Sequence, residues 1–346
     1  MEAQNHFYGH SAAWAAYLGR RRPRHVAGLV QHGWTAVSPV VTHFRDFPRV
    51  GMPGSSRDLF VWSHESRGWD PATQERGTTP IGAQLLYLAA AAGPPPAPRD
   101  EREAVVLMPV HGIQTQRVRG DHAALAGAWR DAEGPATACL YAADAEDPDI
   151  LQAYRRAGHR VVVLGDRLEA DFLWRLWTLL GRATRVVSNR LSTPVFYGAH
   201  LGADIGVYGD ALRIDGEESA QNDRVRELWP ELHAQHVDCA VARDVVAAEL
   251  GARYVLDAEE LERLLGWGRP PVVPAAEYWT TSVAQRAVVN LRRKAAAPAP
   301  APEPDGQPGL SFGAWLRAAT TYLPKPLPRS ITPAGVPCEP LEVPGA

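Results

Sequence analysis

The chain has 346 residues, is 45% hydrophobic and 22% charged, and sets Lys+Arg 36 against Asp+Glu 39 for a formal net charge of −3. That apolar fraction excludes a disordered chain, and the near-balanced charge excludes a global field drawing the protein to nucleic acid or to an anionic membrane. The length fits two domains of ordinary size, each with its own core.

Three cysteines, Cys139, Cys239 and Cys338, are far apart and form no CxxC pair, against a zinc site or a disulfide framework and in keeping with a reducing compartment. The start, MEAQNHFYGH, lacks the basic and apolar segments of a signal peptide, and nowhere are about 18 apolar residues consecutive. A cytoplasmic location is expected.

Residues Asn5 to Arg20 carry Tyr8, Ala12, Ala15 and Leu18 at helical spacing, and Arg20 to Arg24 follow as a basic turn. The short apolar run Val26 to Val30 stops at Gln31-His32-Gly33-Trp34, the pattern of a buried strand emptying into a glycine-containing loop. Open parallel sheets bind ligands at the carboxyl ends of their strands, so His32 is a candidate base or phosphate donor; the alternative is a structural histidine. A second strand over Arg57 to Ser63 ends in the polar loop His64-Glu65-Ser66-Arg67-Gly68, and Leu85 to Ala92 reads as a helix closed by Gly93. The stretch GPPPAPRDERE, proline-rich and then charged, is the domain boundary, between residues 93 and 103.

The second half restarts with the strand AVVLMPVHG, ending at His111-Gly112 as the first strand ended at His32-Gly33. This echo predicts two similar α/β domains facing each other. Gln114, Thr115, Gln116, Arg117 and Arg119 precede a helix starting near Asp121, where arginine and backbone amides form a phosphate clamp or the arginines are simply solvated on a loop. Strands and helices then alternate. ATACLYAAD is a strand, DPDILQAYRRAG a capped helix, HRVVVLG a strand, and DRLEADFLWRLWTLLGRA a helix whose stripe Phe172, Leu173, Leu176, Trp177 and Leu180 is core. That period puts Arg185 to Asn189 on the next parallel strand, with Ser188-Asn189 on the ligand edge. The stretch from Arg185 to Asp210 reads as strand, polar loop, helix, strand. Pro194 suits the first turn of its helix, whose start can bind phosphate through unpaired N–H groups; the alternative is that Ser192 is merely its N-cap.

Further helices are expected at AVARDVVAAELG and DAEELERLLGW, with the chain crossing back after about residue 270. Ala295 to Pro308 is a linker by composition. The tail from Gly309 either docks on the body or touches a membrane surface peripherally.

The series FYGH, QHGW, DLFVWS, IGAQLLYL, PVHG and, above all, VVSNRLSTPVFYGAHLGADIGVYGD resembles bacterial polysaccharide-building transferases of the B-type glycosyltransferase architecture. These are the capsule and lipopolysaccharide transferases and, more distantly, the glycerophosphotransferases of teichoic acid synthesis. The likeness runs in order over about residues 5 to 290, and its specific part is Ser188 to Asp210. It implies two Rossmann-like parallel-sheet domains facing across a cleft: an acceptor domain over 1–95, a nucleotide-donor domain over 103–294, and a Pro-rich linker and tail over 295–346. It places Ser188, Asn189, Ser192, Thr193 and Tyr197 around the donor phosphates, with His111, Gly112 and Arg117 facing them. His32 and Gly33 lie across the cleft, nearest the acceptor. Where the glycerophosphotransferases carry Asp-Tyr-Ser-Ser this chain has Ser-Asn-Arg-Leu-Ser-Thr, which favours a nucleotide sugar as donor. No DxD-like pair stands at a strand end to hold a metal-bound diphosphate, so neither metal nor cofactor is expected.

The expected reaction moves a sugar from a nucleotide donor to a hydroxyl of a glycan or small molecule. His32 is the preferred general base, because histidine titrates near neutrality without tuning, and Glu65 is the second choice. Backbone amides at the Thr193 helix start, with His111 or Arg117, would stabilise the leaving diphosphate. A nucleotide-sugar epimerase is the alternative enzyme, but it needs cleft acids, and only Glu65 and Asp166 stand at strand ends. A non-catalytic nucleotide- or glycan-binding protein is the third reading.

Overall fold

The computed structural model describes residues 2–40, 58–69, 77–95, 97–102, 104–112, 117–215, 220–268, 327, 330–333, 336 and 338–343. Gln114 to Gln116, the segment from Glu277 to Lys294 and the linker Ala295 to Pro308 lie outside them.

The strands are β1 (Leu29–Val30), β2 (Leu59–Val61), β3 (Thr79–Pro80), β4 (Ala104–Leu107), β5 (Val118–Arg119), β6 (Thr137–Leu140), β7 (Arg160–Val163), β8 (Ala183–Ser188), β9 (Asp204–Val207), β10 (Arg213–Ile214) and β11 (Leu341–Glu342). The first three form a parallel sheet in the order β1-β2-β3. A six-stranded sheet runs β11-β7-β6-β4-β8-β9, parallel throughout except for β11. A short antiparallel ribbon pairs β10 with β5. The protein is thus mixed α/β with mainly parallel sheets. Central strands buried on both faces explain the unbroken apolar runs Val105–Val106–Leu107 and Val186–Val187, since parallel sheets are covered on both sides.

The helices are α1 (His10–Tyr17), α2 (Gln84–Ala92), α3 (His122–Glu133), α4 (Ala142–Ala145), α5 (Pro148–Arg156), α6 (Phe172–Gly181), α7 (Thr193–His200), α8 (Ala220–Leu228), α9 (Cys239–Leu250) and α10 (Ala258–Leu264). Their starts follow local chemistry. Asp121 accepts from the Ala124 N–H at 2.8 Å, Asp147 from Asp149 at 3.0 Å and Asp257 from Glu260 at 2.8 Å. Each such cap satisfies a donor that the helix leaves open and contributes about 0.5–2 kcal/mol. Pro148 and Pro194 sit in first turns, where a missing N–H costs nothing.

Helix α6 buries the expected stripe of Phe172, Leu173, Leu176, Trp177 and Leu180. Each fully buried leucine contributes about 1.5–3 kcal/mol relative to exposure. The cluster around that stripe takes Trp62, Ala83 and Leu85 from the first half together with Val106, Val186 and Phe196 from the second, so one core is continuous across both sheets. The chain is back on the first sheet earlier than expected. Leu250 accepts from the Ala83 N–H at 2.8 Å, and Leu261, Leu265 and Trp267 pack with Trp14, Val26, Val30 and Phe60.

The last described residues dock on the body. β11 pairs antiparallel with β7 in the register Leu341↔Val163 and Glu342↔Val162. The Trp174 indole N–H donates to the Thr332 carbonyl at 3.1 Å, the Arg155 guanidinium to the Val343 carbonyl at 2.6 Å, and Arg182 and Arg160 form ion pairs with Glu339 and Glu342. Among the described residues no helix is long and apolar enough to cross a membrane.

Near the amino end, His6 is buried, with Nδ1 2.7 Å from the Ser11 hydroxyl. Burial, and then the nearby His25 ring at 5.9 Å, push its pKa down to about 3. The folded protein holds His6 neutral while the unfolded chain binds a proton below about pH 6.5. Its stabilising contribution is therefore full above about pH 6.5 and is lost as pH falls towards 3, at up to about 1.4 kcal/mol per pH unit. Urea unfolding at a series of pH values should show a shallower acid decline in His6→Gln; parallel declines would remove His6 as the titrating group. Truncation after Lys294 removes β11 and bares the β7 edge. Melting temperature should fall, by roughly 2–4 °C per kcal/mol lost, and light scattering should rise from edge association. An unchanged, monodisperse truncated chain would show that the docked tail adds no stability.

Candidate functional site at the carboxyl edge of the sheets

Parallel strands deliver their carboxyl ends to one edge. After β4 come His111 and Gly112, after β6 Tyr141 and Asp144, after β7 Asp166 and Arg167, and β8 ends in Ser188, followed by Asn189, Ser192 and Thr193. From the first sheet, His32 and Gly33 follow β1, and Glu65 follows β2. Between them runs the amino-terminal segment at Phe7 and Tyr8. Tyr8 is in the left-handed region at φ 57°, and its N–H donates to the Arg167 carbonyl at 2.5 Å. Gly9 follows at φ 73°, where a Cβ would stand 2.5 Å from the Ala170 carbonyl oxygen, so backbone contact as well as conformation demands glycine.

Rings link the two sheets along this edge. His32 stacks on Tyr8 at 6.3 Å between centroids and meets the Phe7 edge at 5.7 Å. His111 stacks on Tyr141 at 4.6 Å and 18°. The Arg167 guanidinium lies 4.4 Å from the Phe7 ring centre. His111 is exposed, and its Nδ1 is 2.7 Å from the Gly112 carbonyl oxygen. A carbonyl only accepts, so Nδ1 carries a proton in this contact. Burial raises the Tyr8 pKa to about 12, with Tyr141 adding and Arg167 opposing. Burial likewise raises the pKa of Tyr141 and of Asp144, the latter opposed by His111.

The expected site residues divide into two groups. The Trp34 N–H donates to the Thr193 hydroxyl at 2.8 Å, which brings the His32-Gly33 loop onto the start of α7; a Cβ on Gly33 would lie 3.5 Å from the same hydroxyl. Ser192 is the extended N-cap of α7 but makes no side-chain cap bond. His32, Gly33, Ser192 and Thr193 therefore share one neighbourhood, with His111 and Gly112 at the neighbouring strand end. The others face inward or away. Asn189 is buried, accepting from the Val110 N–H at 2.8 Å and donating to the Asp210 carbonyl at 2.8 Å, so it braces the loops after β4 and β9. Ser188 is fully buried and its hydroxyl accepts from the Arg190 N–H at 3.3 Å. Tyr197 packs between the sheets against Trp62 at 5.9 Å, its phenol pKa driven far up by burial. The Glu65 carboxylate is ion-paired with Arg253. Arg117 has an exposed side chain, and its carbonyl accepts from the Asp215 N–H at 2.9 Å.

Glu249 has no motif to mark it, yet it organises this junction. Only 2% exposed, it accepts from the Trp34 indole at 2.8 Å, the Trp229 indole at 2.8 Å, the Ser66 hydroxyl at 2.6 Å and the Arg67 N–H at 3.0 Å. The sequence gives little signal, because Glu249 is one of three charged residues in α9, with Arg243 and Asp244. Tyr141, Asp144 and Arg167 also lack a motif, and Tyr8 lies in the FYGH segment without a role assigned to it. Among the described residues one metal-like grouping occurs, Asp204, Asp238 and Cys239, with ligating atoms within 4.8 Å of one another. Asp204 opens β9 at the opposite end of the sheet, and its carboxylate accepts from the Cys239 N–H at 3.2 Å while Asp238 caps α9. Local backbone bonding accounts for the group.

Removing a buried acceptor costs about 1–3 kcal/mol for each donor left dry. Thr193→Val strands one donor and Glu249→Ala four, so urea unfolding should show the second loss to be clearly the larger. The reverse order would mean that Glu249 does not anchor the junction. No protein-family model, curated protein or solved structure matches the chain.

Proposed function

We propose that the protein is a glycosyltransferase that moves a sugar from a nucleotide-sugar donor to a hydroxyl of a glycan or small-molecule acceptor. The observation that carries this reading is the Trp34–Thr193 hydrogen bond, which sets the carboxyl-edge histidine loop of the first sheet against the helix start on the ligand edge of the second. The acceptor oxygen bonds to the anomeric carbon of the sugar, the anomeric bond to the diphosphate breaks, and His32 takes the acceptor proton. The leaving nucleoside diphosphate carries its charge to the N–H groups opening α7 at Ser192 and Thr193 and to His111. Such preorganised donors act where charge develops. Stacking on Tyr8 orients the His32 ring and restricts its rotation. The epimerase alternative draws less support, since Glu65 is held by Arg253 and the Asp166 carboxylate accepts from the Leu168 N–H at 2.8 Å.

Calorimetric titration with a panel of nucleotides, followed by a donor-hydrolysis assay, tests the reading. His32→Ala should lower turnover by about 100-fold to 10,000-fold with nucleotide binding retained. If that variant lost nucleotide binding while keeping its circular dichroism spectrum, His32 would belong to the donor site. Nucleotide binding without any donor turnover would favour a binding protein instead.

A further inference from the structure

Arg167 has a chemical peculiarity that the transferase reading leaves unused. It is half-buried at the carboxyl end of β7, and among the described residues no carboxylate lies within ion-pair reach of it. Its side chain is nevertheless held: the guanidinium sits over Phe7 at 4.4 Å, and its backbone carbonyl receives the Tyr8 N–H. The nearby acids have other partners, Asp144 interacting with His111. The Asp166 carboxylate accepts from Leu168, and Glu169 pairs with Arg175. A partly desolvated cation kept in one place without a counter-charge is costly unless something anionic completes it.

The Tyr8 phenol oxygen accepts from the Arg167 side chain and keeps its own O–H free to donate. The Tyr141 phenol also feels the Arg167 charge, and both phenols are protonated at neutral pH, so each can donate. Phe7 touches Arg167 on one side and His32 on the other, which ties the cation to the proposed reaction centre. Strands β7, β6, β4 and β8 are neighbours in that order, about 4.8 Å apart, so the strand ends before Arg167 and Thr193 stand about 14 Å apart, a gap that the long Arg167 side chain narrows.

We infer that Arg167, with the hydroxyls of Tyr8 and Tyr141, forms an anion site for the diphosphate of the ligand, Arg167 gripping two phosphoryl oxygens through its fork. The assignment rests on the transferase reading for the identity of the ligand but not for the existence of the site. Arg117, the arginine that the sequence points to, is exposed on the β5 side and takes no part.

Inorganic pyrophosphate titrated calorimetrically into the full chain is the probe. Arg167→Gln should weaken binding by about 10-fold or more, because charge-assisted bidentate contacts are lost, while Arg117→Gln binds as the native chain does. Arg167→Lys keeps the cation and so protects the fold if the glutamine variant fails; it should still weaken binding measurably, since an ammonium cannot match the planar fork. The assignment is overturned if the native chain does not bind pyrophosphate, if the folded Arg167 variants bind it unchanged, or if Arg117→Gln abolishes binding. UDP, CDP and GDP form the second arm. Arg167-dependent pyrophosphate binding that no nucleoside diphosphate improves would keep this site and remove the nucleotide donor from the transferase reading.

Discussion

A single buried carboxylate holds the junction on which the candidate site depends. Glu249 reaches from the end of α9 and gathers two indole N–H groups, a serine hydroxyl and a backbone N–H, two of the loops involved coming from the first sheet. A charge so deeply placed is tolerable only because its oxygens are fully engaged, and that requirement fixes Trp34, Ser66 and Trp229 relative to one another. Trp34 in turn packs on Phe196 at 4.9 Å and on Trp229 at 5.0 Å, and its backbone reaches Thr193. The position of His32, two residues earlier, follows from that anchorage.

A second constraint acts from the other side. The left-handed Tyr8 and the Gly9 that follows it let the amino-terminal segment pass within backbone contact of Ala170 and lay Tyr8 against Phe172 at 5.1 Å. Strained backbone of this kind persists only where neighbours over-determine it. Here the neighbours are the carboxyl edges of the two sheets, so the segment acts as a bridge that lays Phe7 and Tyr8 between them.

Much of the architecture was legible in the residues, and the reasons are physical. The Phe172 to Leu180 stripe has helical period, Asp147-Pro148 is a capped first turn, and the Arg185 to Asp210 stretch alternates apolar runs with polar breaks, so each local preference agreed with the final structure. The site was legible as loops but less so as side chains. Asn189 and Tyr197 are polar residues inside a suggestive motif, and nothing local says that one turns inward to brace two loops while the other fills the space beneath Trp62. Glu249 reads as a solvated helix acid because its four partners come from distant parts of the chain. Arg167 is no more legible, because Phe7 and Tyr8 meet it only after folding.

The docked tail also has a temporal side. Arg160 on β7 and its partner Glu342 on β11 are 182 positions apart in the chain. At synthesis rates of about 5–20 residues per second, β7 emerges roughly 10–40 seconds before the strand that covers it. Throughout that interval its edge offers unpaired N–H and C=O groups to any extended neighbour, including the same strand on an adjacent nascent chain. Arg155 and Arg160 flank this edge, and their charges repel a second copy while drawing in the acidic segment that arrives last.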